Sequence, residues 1–181
     1  MTTKTALLVV DMQMLMLDRI AQGRDCLNAD APDRLATLLA DFRAEGRPVI
    51  HVLHHEPDPA AELHADAPAS QPIPQTQAVP GEPVFIKHTS SAFASTGLER
   101  FLRDAGITDL AVAGAVAGFC VNSTVRAGAD LGFRMQVIRD AVMGFDLPAA
   151  GLSAQAIFDV TMAHLAADFA RLVDTGDLLA G

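Results

Sequence analysis

The stretch that decides the fold is residues 109–140, DLAVAGAVAGFCVNSTVRAGADLGFRMQVIRD. Apolar runs at 109–113 and 134–139 flank a small-residue segment at 114–118 and a helix-like segment at 120–131. That segment ends at Gly132, and glycine commonly follows the C-terminus of a helix. The pattern therefore predicts a strand, a helix and a second strand parallel to the first.

The same alternation extends outward in both directions. Further strands are predicted at 5–10, 48–53, 83–87 and 169–173, and further helices at 31–45, 96–105 and 152–166. Alternating strands and helices predict an α/β protein with a parallel sheet between two helical layers and right-handed crossovers. We expect one three-layer α/β/α domain, residues 1–181, with a six-stranded parallel sheet.

Residues 56–81 interrupt the alternation. Six of the ten prolines fall here, at positions 57, 59, 68, 72, 74 and 80. Proline opposes regular hydrogen bonding in helices and central strands, so we predict a long irregular loop. Loops of this length in compact domains are commonly functional.

Charge and cysteine content restrict the partners. The 181 residues carry a formal net charge of −9 and show no basic stripe, which argues against nucleic acid and membrane surfaces as partners. Cys26 and Cys120 are too few for a disulfide framework. The first residues lack a signal-peptide layout, so we expect a cytoplasmic, reducing location.

Three chemically active side chains follow predicted strands. Asp11 ends the first, Lys87 ends the third, and Cys120 begins the helix after the fourth. In open parallel sheets, ligands bind beyond the carboxyl ends of the strands. A helix N-terminus and a nearby lysine would favour the thiolate of Cys120, a carboxylate could accept its proton, and backbone N–H groups could hold an oxyanion.

Each residue also has an ordinary interpretation. A lone cysteine among alanines and valines is commonly a small buried hydrophobe. An aspartate after a strand often caps a turn, and a lysine is mostly solvated. The coincidence of all three at strand ends favours a site over any one of these readings.

Three segments resemble one known family. They are LLVVDMQ at 7–13, KHTSSAF with TGLERFL within 87–102, and GITDLAVAGAVAGFCVNSTVRAGADLGFRMQVIRDA at 106–141. Together they resemble the isochorismatase-like cysteine hydrolases, over residues 5 to about 175. The resemblance implies a catalytic triad of Asp11, Lys87 and Cys120, and a homo-oligomer.

The resemblance also implies a backbone device before the cysteine. Members of the family place a non-proline cis peptide there, and its position in this chain would be Val116–Ala117. The backbone N–H groups of Ala117 and Cys120 are the expected oxyanion-hole donors. We expect hydrolysis of a non-peptide C–N bond in a small amide, through a thiol-acyl intermediate and without a cofactor.

Two other functions stay open. Isochorismatase proper cleaves a vinyl ether and needs no cysteine nucleophile. A protein that keeps this hydrolase fold but has lost its activity could instead be a binding or scaffold protein. The filled Asp11, Lys87 and Cys120 positions favour the amide hydrolase over both.

A histidine group after the second strand raises the question of a metal. Family nicotinamidases carry Asp-x-His there, whereas this chain has His51, His54 and His55 without that motif. Three histidines could bind zinc, but strand alternation points His51 away from His54. We expect a metal-free site with His54 lining the pocket.

Four further residues are candidates for substrate contact. Phe93, Phe119 and Phe145 follow strand ends and could line a pocket for a flat or apolar group, or simply belong to the core. Gln13 could reach a substrate, or cap the turn after Asp11.

Overall fold

The computed structural model describes residues 4–179 of the protein. Its strands are β1 (Lys4–Val10), β2 (Cys26–Leu27), β3 (Val49–His54), β4 (Val84–Lys87), β5 (Ile107–Ala115), β6 (Arg134–Phe145) and β7 (Ala170–Val173). Its helices are α1 (Leu15–Ala21), α2 (Ala31–Ala44), α3 (Leu98–Asp104), α4 (Asn122–Asp130), α5 (Ala154–Asp168) and α6 (Thr175–Leu179).

One sheet contains all seven strands of the described region. β4, β3, β1, β5, β6 and β7 are neighbours in that order and all pair in parallel, so the predicted six-stranded sheet is confirmed. The seventh strand, β2, was not predicted because it has only two residues. It pairs antiparallel with the C-terminal end of β6.

Strand β1 lies at the centre of the sheet, and the chain adds strands first on one side of it and then on the other. From β1 the chain builds outward through β3 to β4, and then returns to the other side of β1 for β5, β6 and β7. The order of strands therefore reverses between β1 and β5. In open α/β sheets this reversal opens a crevice at the carboxyl ends of the strands.

The two faces of the sheet have separate apolar cores. Ala6, Leu8 and Val10 of β1 pack with the face that carries α3, α4 and α5. Leu7 and Val9 point to the opposite face, which carries α1 and α2. This alternation follows from the two-residue repeat of a strand, and it packs β1 between the two helical layers. None of the helices in residues 4–179 is long and apolar enough to cross a membrane.

The proline-rich stretch is an ordered loop. Its only helical pieces in the described chain are single 3₁₀ turns at Pro68–Ser70 and Pro74–Thr76, which confirms the predicted irregular conformation. Ile73 is fully buried, and its N–H donates to the Met12 carbonyl at 2.8 Å. The loop is thereby attached to the segment that follows β1.

A close approach between β5 and β1 fixes the turn that leads to Cys120. Gly114 has φ +128°, and a side chain there would meet the Val10 carbonyl oxygen at 2.0 Å. Only glycine fits such a position. The cis peptide bond lies at Ala115–Val116, so the predicted position, Val116–Ala117, is wrong by one residue. A π-helical turn at Ala117–Val121 then continues into α4.

Candidate active site

Asp11 lies immediately after the central strand, on one side of the crevice. Its backbone has φ +49°, a region that non-glycine residues rarely adopt. Such strain costs about 1–3 kcal/mol and persists only where the surroundings enforce it. The surroundings do so here, because the Asp11 N–H donates to the Val52 carbonyl at 2.9 Å. The side chain is 3% exposed, and this backbone geometry aims it into the sheet's carboxyl edge.

Lys87 joins the other groups of the site. It ends β4, directly beside His54 in the parallel register, and it is fully buried. Its Nζ lies 2.8 Å from Asp11 Oδ2, 3.2 Å from Cys120 Sγ and 3.0 Å from His54 Nδ1. An ammonium group has three N–H donors, so these three neighbours use all of them. Burial of the charge is tolerable because Asp11 neutralises it.

Cys120 lies in the π-helical turn that follows β5, on the other side of the crevice from Asp11. The sequence predicted that the helix N-terminus and a nearby lysine would favour the thiolate, but the structure indicates a neutral thiol. Burial raises the pKa of Cys120 from 9.0 to about 12; the negative charge of Asp11 adds to this, and Lys87 only partly opposes it. The local argument from the helix N-terminus is outweighed by desolvation.

Asp11 keeps one oxygen available beside that thiol. Its Oδ2 contacts Lys87, whereas its Oδ1 is buried without a hydrogen-bond partner among the described residues. Burial raises the pKa of Asp11 above 3.8, although the charge of Lys87 and contacts with Lys87 and Cys120 lower it. A carboxylate with an elevated pKa and an unsatisfied oxygen is suited to accept a proton.

The two histidines of β3 have different neighbours. His54 faces Lys87, and burial together with the Lys87 charge lowers the pKa of His54. The ring is therefore neutral, and its Nδ1 can accept a hydrogen bond from the Lys87 ammonium. His51 Nε2 instead lies 3.0 Å from Glu82 Oε2. Within residues 4–179, no group of three or more histidine, cysteine, aspartate or glutamate side chains is arranged to hold a metal ion.

A small cavity opens onto this cluster. Its volume is about 260 Å³, and Asp11, His54 and Cys120 lie on its wall. Most of the remaining wall is apolar. The other lining residues are Leu15, Met16, Arg19, Leu63, Ser90, Ala115, Val116 and Phe119.

Two of the predicted substrate-contact residues line this cavity, and the other three, Phe93, Phe145 and Gln13, do not. His54 and Phe119 are on the wall. Phe93 stacks on Phe133 with ring centroids 5.7 Å apart, and Phe145 is 4% exposed within the core. Ala117, a predicted oxyanion-hole residue, is also fully buried away from the lining, where Val116 lies instead.

Gln13 is buried rather than available to a substrate. Its Nε2 donates to the carbonyls of His54 at 3.0 Å and Ser70 at 2.7 Å, and its Oε1 accepts from the His54 N–H at 2.9 Å. The side chain thus joins β3 to the proline-rich loop. Gln13 positions the wall of the site without forming part of it.

Four of the lining residues that sequence reasoning missed are in α1 and the proline-rich loop. Leu15, Met16 and Arg19 share one face of α1 through their one-turn spacing, and Leu63 comes from the loop. The spacing of 15, 16 and 19 directly after Asp11 was the available signal.

The fold and the cluster define an α/β protein with a buried aspartate, lysine and cysteine at one cavity. Residues 5–175 match the isochorismatase domain family. An isochorismatase-family protein of known structure from Chromobacterium violaceum superposes with a TM-score of 0.92 at 32% identity, over 98% of this chain and 92% of that one.

Two curated relatives extend the comparison. The secreted isochorismatase effector Isc1 of Verticillium dahliae is 29% identical over 98% of this chain and 91% of its own length. The N-carbamoylsarcosine amidase of an Arthrobacter species is 37% identical over 84 residues, which are 46% of this chain and 32% of that protein. The chain belongs to the isochorismatase family and is a hydrolase of that family.

Proposed function

We propose that this hydrolase cleaves a non-peptide C–N bond of a small amide through a thiol-acyl intermediate on Cys120. The observation that carries the proposal is the position of Lys87, whose Nζ contacts both the Asp11 carboxylate and the Cys120 thiol. One buried cation thereby holds a base and a nucleophile together at the cavity wall. A base adjacent to a thiol is the arrangement that covalent catalysis requires.

The neutral resting thiol determines the order of proton movements. As Cys120 Sγ attacks the amide carbon, its proton passes to Asp11, and the carbonyl oxygen becomes an oxyanion. When the C–N bond breaks, Asp11 returns the proton to the departing nitrogen, which leaves a thioester. Asp11 then removes a proton from water, and the resulting hydroxide attacks the thioester. The C–S bond breaks to give the acid, and Asp11 returns the proton to the sulfur of Cys120, which restores the neutral thiol.

Lys87 and two backbone groups stabilise the charges that develop. The Lys87 ammonium is 3.2 Å from Sγ, where negative charge forms when the thiol loses its proton. For the oxyanion we assign the N–H groups of Cys120 and Val116. Val116 takes the place predicted for Ala117 because it lies on the cavity wall and Ala117 does not. Such donors act strongly in a site that excludes water.

The size of the cavity supports a small substrate. Its volume of about 260 Å³ lies below the range of about 300–1,000 Å³ that is usual for drug-sized ligands. One relative is named an amidase, which supports amide rather than vinyl-ether cleavage. Cytoplasmic location and self-association stay predictions; one relative is named a secreted effector.

The decisive experiment replaces each cysteine separately. Ammonia release from acetamide, benzamide, glutaramide and N-carbamoylglycine is measured for wild type, Cys120→Ala and Cys26→Ala. Cys120→Ala should lose at least about 10³-fold in turnover, whereas Cys26→Ala should stay active, because Cys26 lies in β2 away from the cavity. Thermal unfolding of each variant checks that it is folded.

Mass spectrometry supplies the second measurement. Rapidly acidified wild-type reactions should contain protein heavier by the acyl group, attached at Cys120. Full ammonia release by a folded Cys120→Ala variant would overturn the proposal. Pyruvate release from isochorismate by that same variant would establish the vinyl-ether reaction instead.

A further inference from the structure

Arg19 is a cation on the cavity wall that the proposed chemistry does not use. It lies on α1 beside Leu15 and Met16, and its guanidinium carbon is 5.8 Å from the centre of the Phe145 ring. In the part of the chain that the structure describes, the Arg19 side chain makes no ion pair and no hydrogen bond, unlike that of Arg24, which contacts Asp146 at 2.7 Å. Its five N–H donors are therefore available to a ligand.

The other charges at the cavity are already neutralised. Asp11 is paired with Lys87, and the three donors of Lys87 are used by Asp11, Cys120 and His54. His54 is neutral because burial and Lys87 lower its pKa. Arg19 is thus the one uncompensated charge among the lining residues, in a chain whose net charge is −9.

We infer that Arg19 binds a carboxylate of the substrate, so that the substrate is a small amide that also carries a carboxylate group. The inference rests on the proposed amide hydrolysis and names its substrate class. A guanidinium group presents two parallel N–H donors that match a carboxylate in geometry and charge. Lys87 cannot serve this purpose because its donors are spent.

The rest of the wall fits the middle of such a molecule. Leu15, Met16, Leu63 and Val116 provide apolar surface between the polar groups of the cavity, and this surface would contact a short carbon chain. Phe145, although buried, supports Arg19 through its ring face, and this cation–π contact helps to fix the guanidinium. Phe145 therefore acts as a positioning residue beneath Arg19.

The test compares two substrates that differ in one charge. Glutaramate, the monoamide of glutaric acid, carries a free carboxylate, and its methyl ester does not. The ratio of kcat/KM for glutaramate to that for the ester is measured for wild type, Arg19→Gln, Arg19→Lys and Arg100→Gln. Arg100 is the matched control, because its side chain is 89% exposed, it lies outside the cavity, and its replacement changes the net charge equally.

The ratio should exceed one in wild type and fall about 10- to 100-fold in Arg19→Gln. Most of the loss should appear in KM for glutaramate, because the carboxylate is bound equally before and during the reaction. Arg19→Lys should recover part of the ratio, and Arg100→Gln should retain it. Added salt should lower the wild-type ratio. An equal ratio in wild type and Arg19→Gln would overturn the inference.

A binding measurement separates this inference from the proposed reaction. In the Cys120→Ala background, titration calorimetry with glutarate, which has carboxylates but no amide, should show binding that Arg19→Gln weakens at least tenfold. That result would stand even if no amide were hydrolysed, in which case only the proposed function fails. Equal glutarate affinity with and without Arg19 would overturn the carboxylate site while leaving amide hydrolysis intact.

Discussion

Two aspartates at opposite ends of the sheet each face a basic side chain. At the amino end, both oxygens of Asp109 accept hydrogen bonds, from Arg134 at 2.6 and 2.5 Å and from Thr108 at 2.7 Å. At the carboxyl end, Asp11 is contacted by Lys87 through one oxygen, and the other has no partner in the described chain. The first pair is satisfied and partly exposed, whereas the second is buried and incomplete.

The pKa values of the two carboxyl groups move in opposite directions as a result. The hydrogen bonds from Arg134 lower the pKa of Asp109 below 3.8. Burial raises that of Asp11 above the same value despite the charge of Lys87. A salt bridge alone therefore does not mark a catalytic site. Burial combined with an unused acceptor beside a thiol supports the proposed catalytic role of Asp11, because it leaves a group that can exchange a proton.

The largest expected difference between the two regions is in activity. Asp11→Asn should lower turnover about 10³-fold, within the range attributed to general acid–base catalysis, because the amide cannot accept the Cys120 proton. Asp109→Asn should stay within twofold of wild type, since Asp109 lies at the far end of the sheet. Ammonia release by both folded variants tests this. Equal losses would show that Asp11 has only a structural role.

The next difference is in stability. Lys87→Met leaves the Asp11 charge buried without its partner, which should lower the free energy of unfolding by about 3–5 kcal/mol. Arg134→Met should cost clearly less, because the Arg134 side chain is 60% exposed and water replaces its contact. Urea denaturation measures both.

The double variant Asp11→Asn/Lys87→Met completes this comparison. It removes both buried charges, so it should recover part of the stability that Lys87→Met loses, without recovering activity. If Lys87→Met were no less stable than Arg134→Met, the buried pair would not carry the energy assigned to it here.

The sequence predicted the sheet because each strand carries a local signal. The β-branched and apolar runs at 5–10 and 134–139 indicated strands β1 and β6, and strand ends then placed Asp11, Lys87 and Cys120 at one edge. Helix α1 lacked such a signal: Met14 precedes it without a side-chain cap. Packing of Leu15 and Met16 on the core forms this helix, and packing is not visible in a local pattern.

The errors at the site share one physical cause, which is contact between residues distant in sequence. From the sequence, Gln13 is a polar residue available to a substrate, yet in the structure its side chain binds His54 and Ser70, which are 41 and 57 residues away in the chain. Cys120 reads as a thiolate from its own helix, yet burial and Asp11, both consequences of the tertiary fold, raise its pKa to about 12. Local chemistry identified the residues, and their protonation depended on the fold.

The smallest predicted difference is in the pH dependence of stability, where the two aspartates should have opposite signs. Because the pKa of Asp109 is lowered in the folded protein, Asp109 contributes fully to the free energy of unfolding above pH 3.8. That contribution is lost only as the pH falls through the pKa of Asp109 in the folded protein. Because the pKa of Asp11 is raised in the folded protein, Asp11 contributes fully to the free energy of unfolding below pH 3.8. That contribution is lost as the pH rises through the pKa of Asp11 in the folded protein.

Urea denaturation of wild type, Asp11→Asn and Asp109→Asn between pH 3 and pH 8 tests these signs. The cost of Asp109→Asn should be constant above 3.8 and should shrink as the pH falls below it, because the folded carboxylate must then be protonated. Relative to Asp11→Asn, wild type should lose stability as the pH rises above 3.8, because ionisation of Asp11 is easier once the protein unfolds. A difference that stays constant or grows in favour of wild type over this rise would mean that Lys87 balances or outweighs burial, and Asp11 would then lack the raised pKa that suits it to accept a proton.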